Sequence, residues 1–139
     1  MFAGRHYRQV DLDPGARIPV RLNVFGDTAA ELAATPQMLT IHRELIRQSD
    51  RLFGWRPFDR YDFLLAISNR LGSIGLEHHR SSENQVDAGY FTAWDKALGD
   101  RGLLPHEYAH AWVGKALRPA GMIVQDFHTP VRNDLLWVY

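Results

Sequence analysis

Cysteine is absent from the 139 residues, which rules out disulfides and thiolate metal sites. Its absence leaves the compartment open, because a cysteine-free chain tolerates either redox environment. Lysine is nearly absent too: 2 Lys accompany 14 Arg, a bias better explained by genome composition than by arginine chemistry. An excess of either charge is also lacking. Sixteen basic and sixteen acidic residues cancel and are scattered along the chain, so no electrostatic footprint for nucleic acid or an anionic membrane is present. No run nears the roughly 18 apolar residues of a membrane span. The opening MFAGRHYRQVDLDPG has no apolar stretch of signal-peptide length. A soluble protein is expected, with the cytoplasm favoured. Length and composition suit one domain with its own core.

What is there reads as an α+β chain. Residues 16–27 alternate apolar and polar at Ile18, Val20, Leu22 and Val24, the pattern of a half-buried strand. Thr28 with Glu31 matches a capping box. Thr35-Pro36 reads as a helix start with proline at the first position, and Met38, Ile41, Leu45 and Leu52 suggest its apolar face up to Gly54. YDFLLAIS (61–68) suits a central strand. GSIGLEHHRSS (72–82) is too glycine-rich and polar for the core, and predicts an edge strand or extended segment. ENQVDAG (83–89) reads as loop, and His6 and His42 as surface residues. A helix is expected from about Leu103 to Gly114–Leu117, with Pro105 tolerated in its first turn. NDLLWVY (133–139) reads as a capped helix start.

The expected helix at 103–117 carries His106, Glu107 and His110, a His-Glu-x-x-His motif. Residues four apart on a helix differ by about 40° in direction, so both imidazoles leave one face and can ligate one Zn²⁺. Glu107 is about 100° around the helix, placed to take a proton from a water at the metal rather than to ligate it. From this composition roughly 0.01 such matches are expected by chance. The neighbours Tyr108, Ala109, Ala111, Trp112 and Val113 are also too apolar for a freely solvated helix.

A catalytic zinc site wants a third protein ligand. The His-x-x-Gly-x-x-His continuation fails, since Val113 and Ala116 stand at the required positions. His128 and Asp126 remain as loop candidates. Glu107 is the last glutamate in the chain.

HEYAHAWVGKALRPAG, then DFHTPVRNDLLWVY, with GLEHHRSSEN upstream, resembles the glycyl aminopeptidase family of gluzincin zinc metallopeptidases. The resemblance runs from about Val20 to Tyr139. It implies a thermolysin-like catalytic domain: residues 1–27 would end a preceding β region and form the first strand, and 28–139 would be catalytic core. The third ligand would be a glutamate directly after Tyr139, so the chain would be a truncated, inactive part of a zinc aminopeptidase that prefers small N-terminal residues such as Gly. Val113 departs from the asparagine that the family pattern carries. GLEH (75–78) resembles the motif whose glutamate grips the substrate's α-amine, which makes Glu77 the expected amine-binding residue. A peptide is the expected partner, with neither nucleic acid nor membrane. Homo-oligomers through exposed apolar surface are also expected. A second reading is a non-catalytic or degenerate zinc-binding or interaction protein.

Overall fold

The computed structural model describes residues 4–126 and 128–136. Its frame is a five-stranded mixed sheet built from β1 (His6–Asp11), β2 (Val20–Gly26), β3 (Tyr61–Ile67), β4 (Ile74–Glu77) and β5 (Ser81–Val86), in the order β1-β2-β3-β5-β4. β2, β3 and β5 run parallel, and antiparallel β1 and β4 close the two edges. The expected mixed sheet with helices is borne out, as are β3 at the centre and β4 at an edge.

The connection from β2 to parallel β3 passes through α1 (Pro36–Phe53). Thr35 Oγ1 accepts from the Met38 backbone N–H, Pro36 sits in the first turn, and Gly54 ends the helix in the left-handed conformation at φ 75°. These are the start and stop signals that the sequence carries. The buried face is rotated slightly from the expected one: Leu39, His42 and Ile46 are inside, while Leu52 is 77% exposed. Thr28 does cap a helical turn, a 3-10 turn over Ala29–Leu32, and Glu31 within it reaches back, its Oε2 accepting from the Thr28 N–H at 2.9 Å.

Side chains alternate across each strand. Val20, Leu22 and Val24 of β2 share a core with Tyr61, Phe63 and Leu65 of β3 and with Val86 of β5. Helix α2 (Leu103–Ala109) adds Leu104 and Tyr108 to that core, and Trp112 follows from the turn beyond it. The other face holds a polar ladder, in which Tyr7 donates to Asn23 Oδ1 at 2.8 Å and Asn23 Nδ2 donates to Asp62 Oδ1 at 3.1 Å.

Two strands depart from expectation. β1 lies in the stretch expected only as the end of a preceding β region, with no strand of its own assigned, and β5 occupies part of what reads as the 83–89 loop. β5 points Ser82 and Asn84 inward, both with 0% exposure, and Asn84 Nδ2 donates to Ser82 Oγ at 2.9 Å. Helix α2 is shorter than expected, since turns replace it after Ala109. At the far end Leu136 N–H donates to Asn133 O, one turn of the expected helix. Trp137, Val138 and Tyr139 lie outside the described residues. No described helix is long and apolar enough to cross a membrane.

His42 also corrects the surface reading, being 4% exposed. Its Nδ1 sits 2.7 Å from Met38 O, and its Nε2 2.9 Å from the Tyr90 hydroxyl. A carbonyl only accepts, so Nδ1 carries the proton and Nε2 accepts from Tyr90. Burial lowers the His42 pKa below its ordinary 6.5, against the Met38 hydrogen bond, which raises it. Below about pH 6.5 the unfolded chain takes up a proton at this residue that the folded chain refuses, so stability falls as pH drops. His42→Gln should flatten that fall. Urea unfolding at pH 7.5 and 5.5 measures it; equal losses in wild type and variant would refute the assignment.

Candidate functional site

Helix α2 puts its motif at the end of the sheet that holds β5 and the edge strand β4. Its two faces differ sharply. Tyr108 and the following Trp112 are fully buried against the sheet, with ring centroids 5.1 Å apart. On the outer side the His106 side chain is 66% exposed. Helical dihedrals continue through the cap residue His110 (φ −62°, ψ −19°), so the i, i+4 relation of the two histidines is kept.

The imidazoles converge, with Nε2 of His106 and Nε2 of His110 3.2 Å apart. His110 Nδ1 lies 3.0 Å from Val113 O. That carbonyl accepts a hydrogen bond from Nδ1–H, which leaves Nε2 with its lone pair facing His106. Two nitrogens bound at about 2.0–2.1 Å to a tetrahedral zinc-like ion would be roughly 3.3 Å apart. The pair therefore fits half of such a coordination shell.

Glu107 is 4% exposed, and its Oε2 is buried without a hydrogen-bond partner among the described residues. Its Oε1 lies 3.8 Å from His106 Nε2. Burial raises its pKa above the ordinary 4.5; His106 and His110 oppose that rise, Glu77 adds to it and Lys115 opposes it. A desolvated carboxylate beside imidazoles that can gather a cation is the arrangement of a general base. Tyr61 of β3 supports the helix from beneath, its hydroxyl donating to Glu107 O at 3.3 Å.

Glu77, the last residue of β4, comes to the same region. Its Oε1 is 3.4 Å from Lys115 Nζ, and the two side chains are only 18% and 14% exposed. The pairing of Glu77 with Lys115 is absent from the sequence reading. The partners stand 38 positions apart, so no local pattern could have shown it. His78 turns the other way, 3.5 Å from Glu83.

The loop candidates for a third metal ligand go elsewhere. Asp126 Oδ1 accepts from the backbone N–H of His128 and of Thr129, both at 2.9 Å, and from the Thr129 hydroxyl at 3.0 Å. It closes its own turn, and those hydrogen bonds hold its pKa below the usual range. Among the described residues no group of three or more His, Cys, Asp or Glu is placed to hold a metal ion. Two surface depressions of about 560 and 590 Å³ are lined by neither His106, Glu107 nor His110. The motif lies instead on an open face beside the free edge of β4.

Residues 99–139 match the family model described as M61 glycyl aminopeptidase. The chain also superposes on a crystal structure of an aminopeptidase N family protein from Idiomarina loihiensis, with a TM-score of 0.71 at 22% identity. That alignment covers 94% of this chain and 22% of the other, so the chain spans about a fifth of that protein's length. No curated protein matches. The family match falls on the segment that carries His106, Glu107 and His110, and with the structural match it supports the glycyl aminopeptidase resemblance.

Separating Lys115 from Glu77 should be costly because both ends are largely desolvated. Lys115→Met is expected to destabilise the fold by about 1–3 kcal/mol. Adding Glu77→Gln should recover part of that loss, a coupling of about 1 kcal/mol in a double-mutant cycle by urea unfolding. Strict additivity would show the pair to be energetically idle.

Proposed function

We propose that the chain supplies the two-histidine half and the general base of a zinc-dependent aminopeptidase site of the thermolysin-like, gluzincin kind. One observation carries the reading: converging Nε2 atoms 3.2 Å apart stand beside a buried carboxylate whose Oε2 has no hydrogen-bond partner among the described residues, inside the segment that matches the peptidase family.

His110 enters the site with its tautomer set by Val113 O, and His106 offers the second nitrogen. Zinc, when bound, would polarise the scissile carbonyl and make a water easier to deprotonate. Glu107 would accept that proton, which its burial favours, and pass it to the departing amine. Glu77 would hold the α-ammonium of the substrate, with Lys115 setting the carboxylate's position. An extended peptide lying along the outer edge of β4 would bring its first residue to this corner. The family match alone supports a preference for small N-terminal residues such as glycine.

Catalytic zinc sites use three protein ligands. The described residues place no third donor beside the histidines. With these two histidines as its only ligands, zinc should be bound weakly and turnover should be absent, and a third ligand would have to come from outside the described residues.

Calorimetric titration with Zn²⁺ tests the ligand assignment. His106→Ala and His110→Ala should each weaken binding at least about tenfold, whereas Glu107→Gln should not. In an active protein carrying these residues, Glu107→Gln should lower kcat by about 10²-fold or more with zinc retained. Zinc affinity indifferent to both histidines, or turnover surviving the glutamine, would end this reading.

A further inference from the structure

Gly75 occupies the second position of β4, opposite Asn84 of β5. It is not among the glycines with positive φ, so its backbone conformation is open to any residue. Space, rather than conformation, explains the missing side chain. A Cβ built on Gly75 would overlap Glu107 Oε1 and stand 2.5 Å from Glu107 Cδ and 2.8 Å from its Cγ. All three of those nearest atoms belong to the one carboxylate-bearing side chain. Strand alternation puts Gly75 on the same face as Glu77, while Ile74 and Leu76 point away and are 55% and 47% exposed.

We propose that Gly75 is a positioning residue for Glu107: the absence of a side chain on the edge strand makes the seat into which the carboxylate packs. Pressed against bare strand backbone, the carboxylate is confined on the side away from solvent. Its direction relative to His106 and His110 is thereby set by β4 as well as by helix α2. A methyl group at position 75 would drive the carboxylate out of this seat and leave the histidines in place. The catalytic part of this inference rests on the proposed role of Glu107; the seating itself does not.

A thermal-unfolding cycle tests the seating without any need for turnover. In the wild-type background Gly75→Ala should lower Tm by roughly 5–10 °C, the penalty of overpacking. In a Glu107→Ala background the same substitution should be neutral or raise Tm, because alanine suits a strand better than glycine once the space is empty. Should Gly75→Ala alone fail to fold, recovery of folding in the Gly75→Ala/Glu107→Ala double variant would support the seat equally. An equal loss in both backgrounds, or no loss in either, overturns it.

In the active protein, Gly75→Ala should cut kcat by about 10²-fold while KM and zinc content hold. A kcat unchanged by Gly75→Ala, where Glu107→Gln abolishes turnover, would sink the positioning role. Turnover that survives Glu107→Gln would instead sink the general-base reading and leave the unfolding cycle to decide the seat.

Discussion

Seven residues of helix are too few to hold two imidazoles in register by their own hydrogen bonds. The site depends instead on the aromatic seat beneath α2. Trp112 stacks on Phe53 from the end of α1, with centroids 4.3 Å apart and planes 10° from parallel. Its indole N–H donates to Trp55 O at 2.7 Å. Tyr108 meets Tyr61 of the central strand edge-on at 4.7 Å, and Phe58 touches Tyr61, Tyr108 and Trp112. These rings come from α1, the loop after it, β3 and the motif segment. Such contacts are directional as well as apolar, so they fix the rotation of α2 about its axis. That rotation decides which way His106, Glu107 and His110 face.

With the rotation fixed, one helix serves opposite needs three residues apart. Tyr108 is buried against the sheet, His106 and His110 reach outward, and Glu107 lies between them, inside enough to lose solvent yet next to the imidazoles. Its position at the sheet end is what makes this possible. A helix over the middle of β3 would have an apolar surface beneath Glu107. Over the β5–β4 corner it meets a strand edge whose inward positions are glycine and glutamate. The buried polar residues of β5 belong to the same logic. Ser82 and Asn84 satisfy part of their demand on each other, and they fill the space under this corner without bulk.

Much of the frame was legible because it obeys local rules. Thr35, Pro36 and Gly54 bracket α1, and the apolar run of β3 marks the central strand. β5 was illegible for a physical reason: its inward residues are Ser82, Asn84 and Val86, and a polar pair hydrogen-bonded inside leaves no hydrophobic alternation to detect. β1 hides similarly, since an edge strand that carries a polar ladder on one face alternates too weakly. His42 read as surface because its partners, Met38 O and Tyr90, are a helix turn and 48 residues away. The His-Glu-x-x-His spacing was the strongest functional signal, as its geometry is local to one helix. The Glu77–Lys115 pair joins residues 38 positions apart, a distance over which only the folded sheet supplies the connection.

That pair has a consequence for amine recognition under the proposed function. A lone buried carboxylate would attract any cation strongly and would itself be costly to desolvate. With Lys115 alongside, part of that cost is offset. At 3.4 Å the contact is longer than the 2.7–2.9 Å of a tight charge-assisted hydrogen bond. On the proposed amine-binding role, a substrate ammonium would share Glu77 with Lys115. Two cations on one carboxylate repel each other, which favours a substrate amine approaching from the side opposite Lys115. On that reading the site would discriminate by direction as well as by charge, since an ammonium reaching across from the Lys115 side would be opposed.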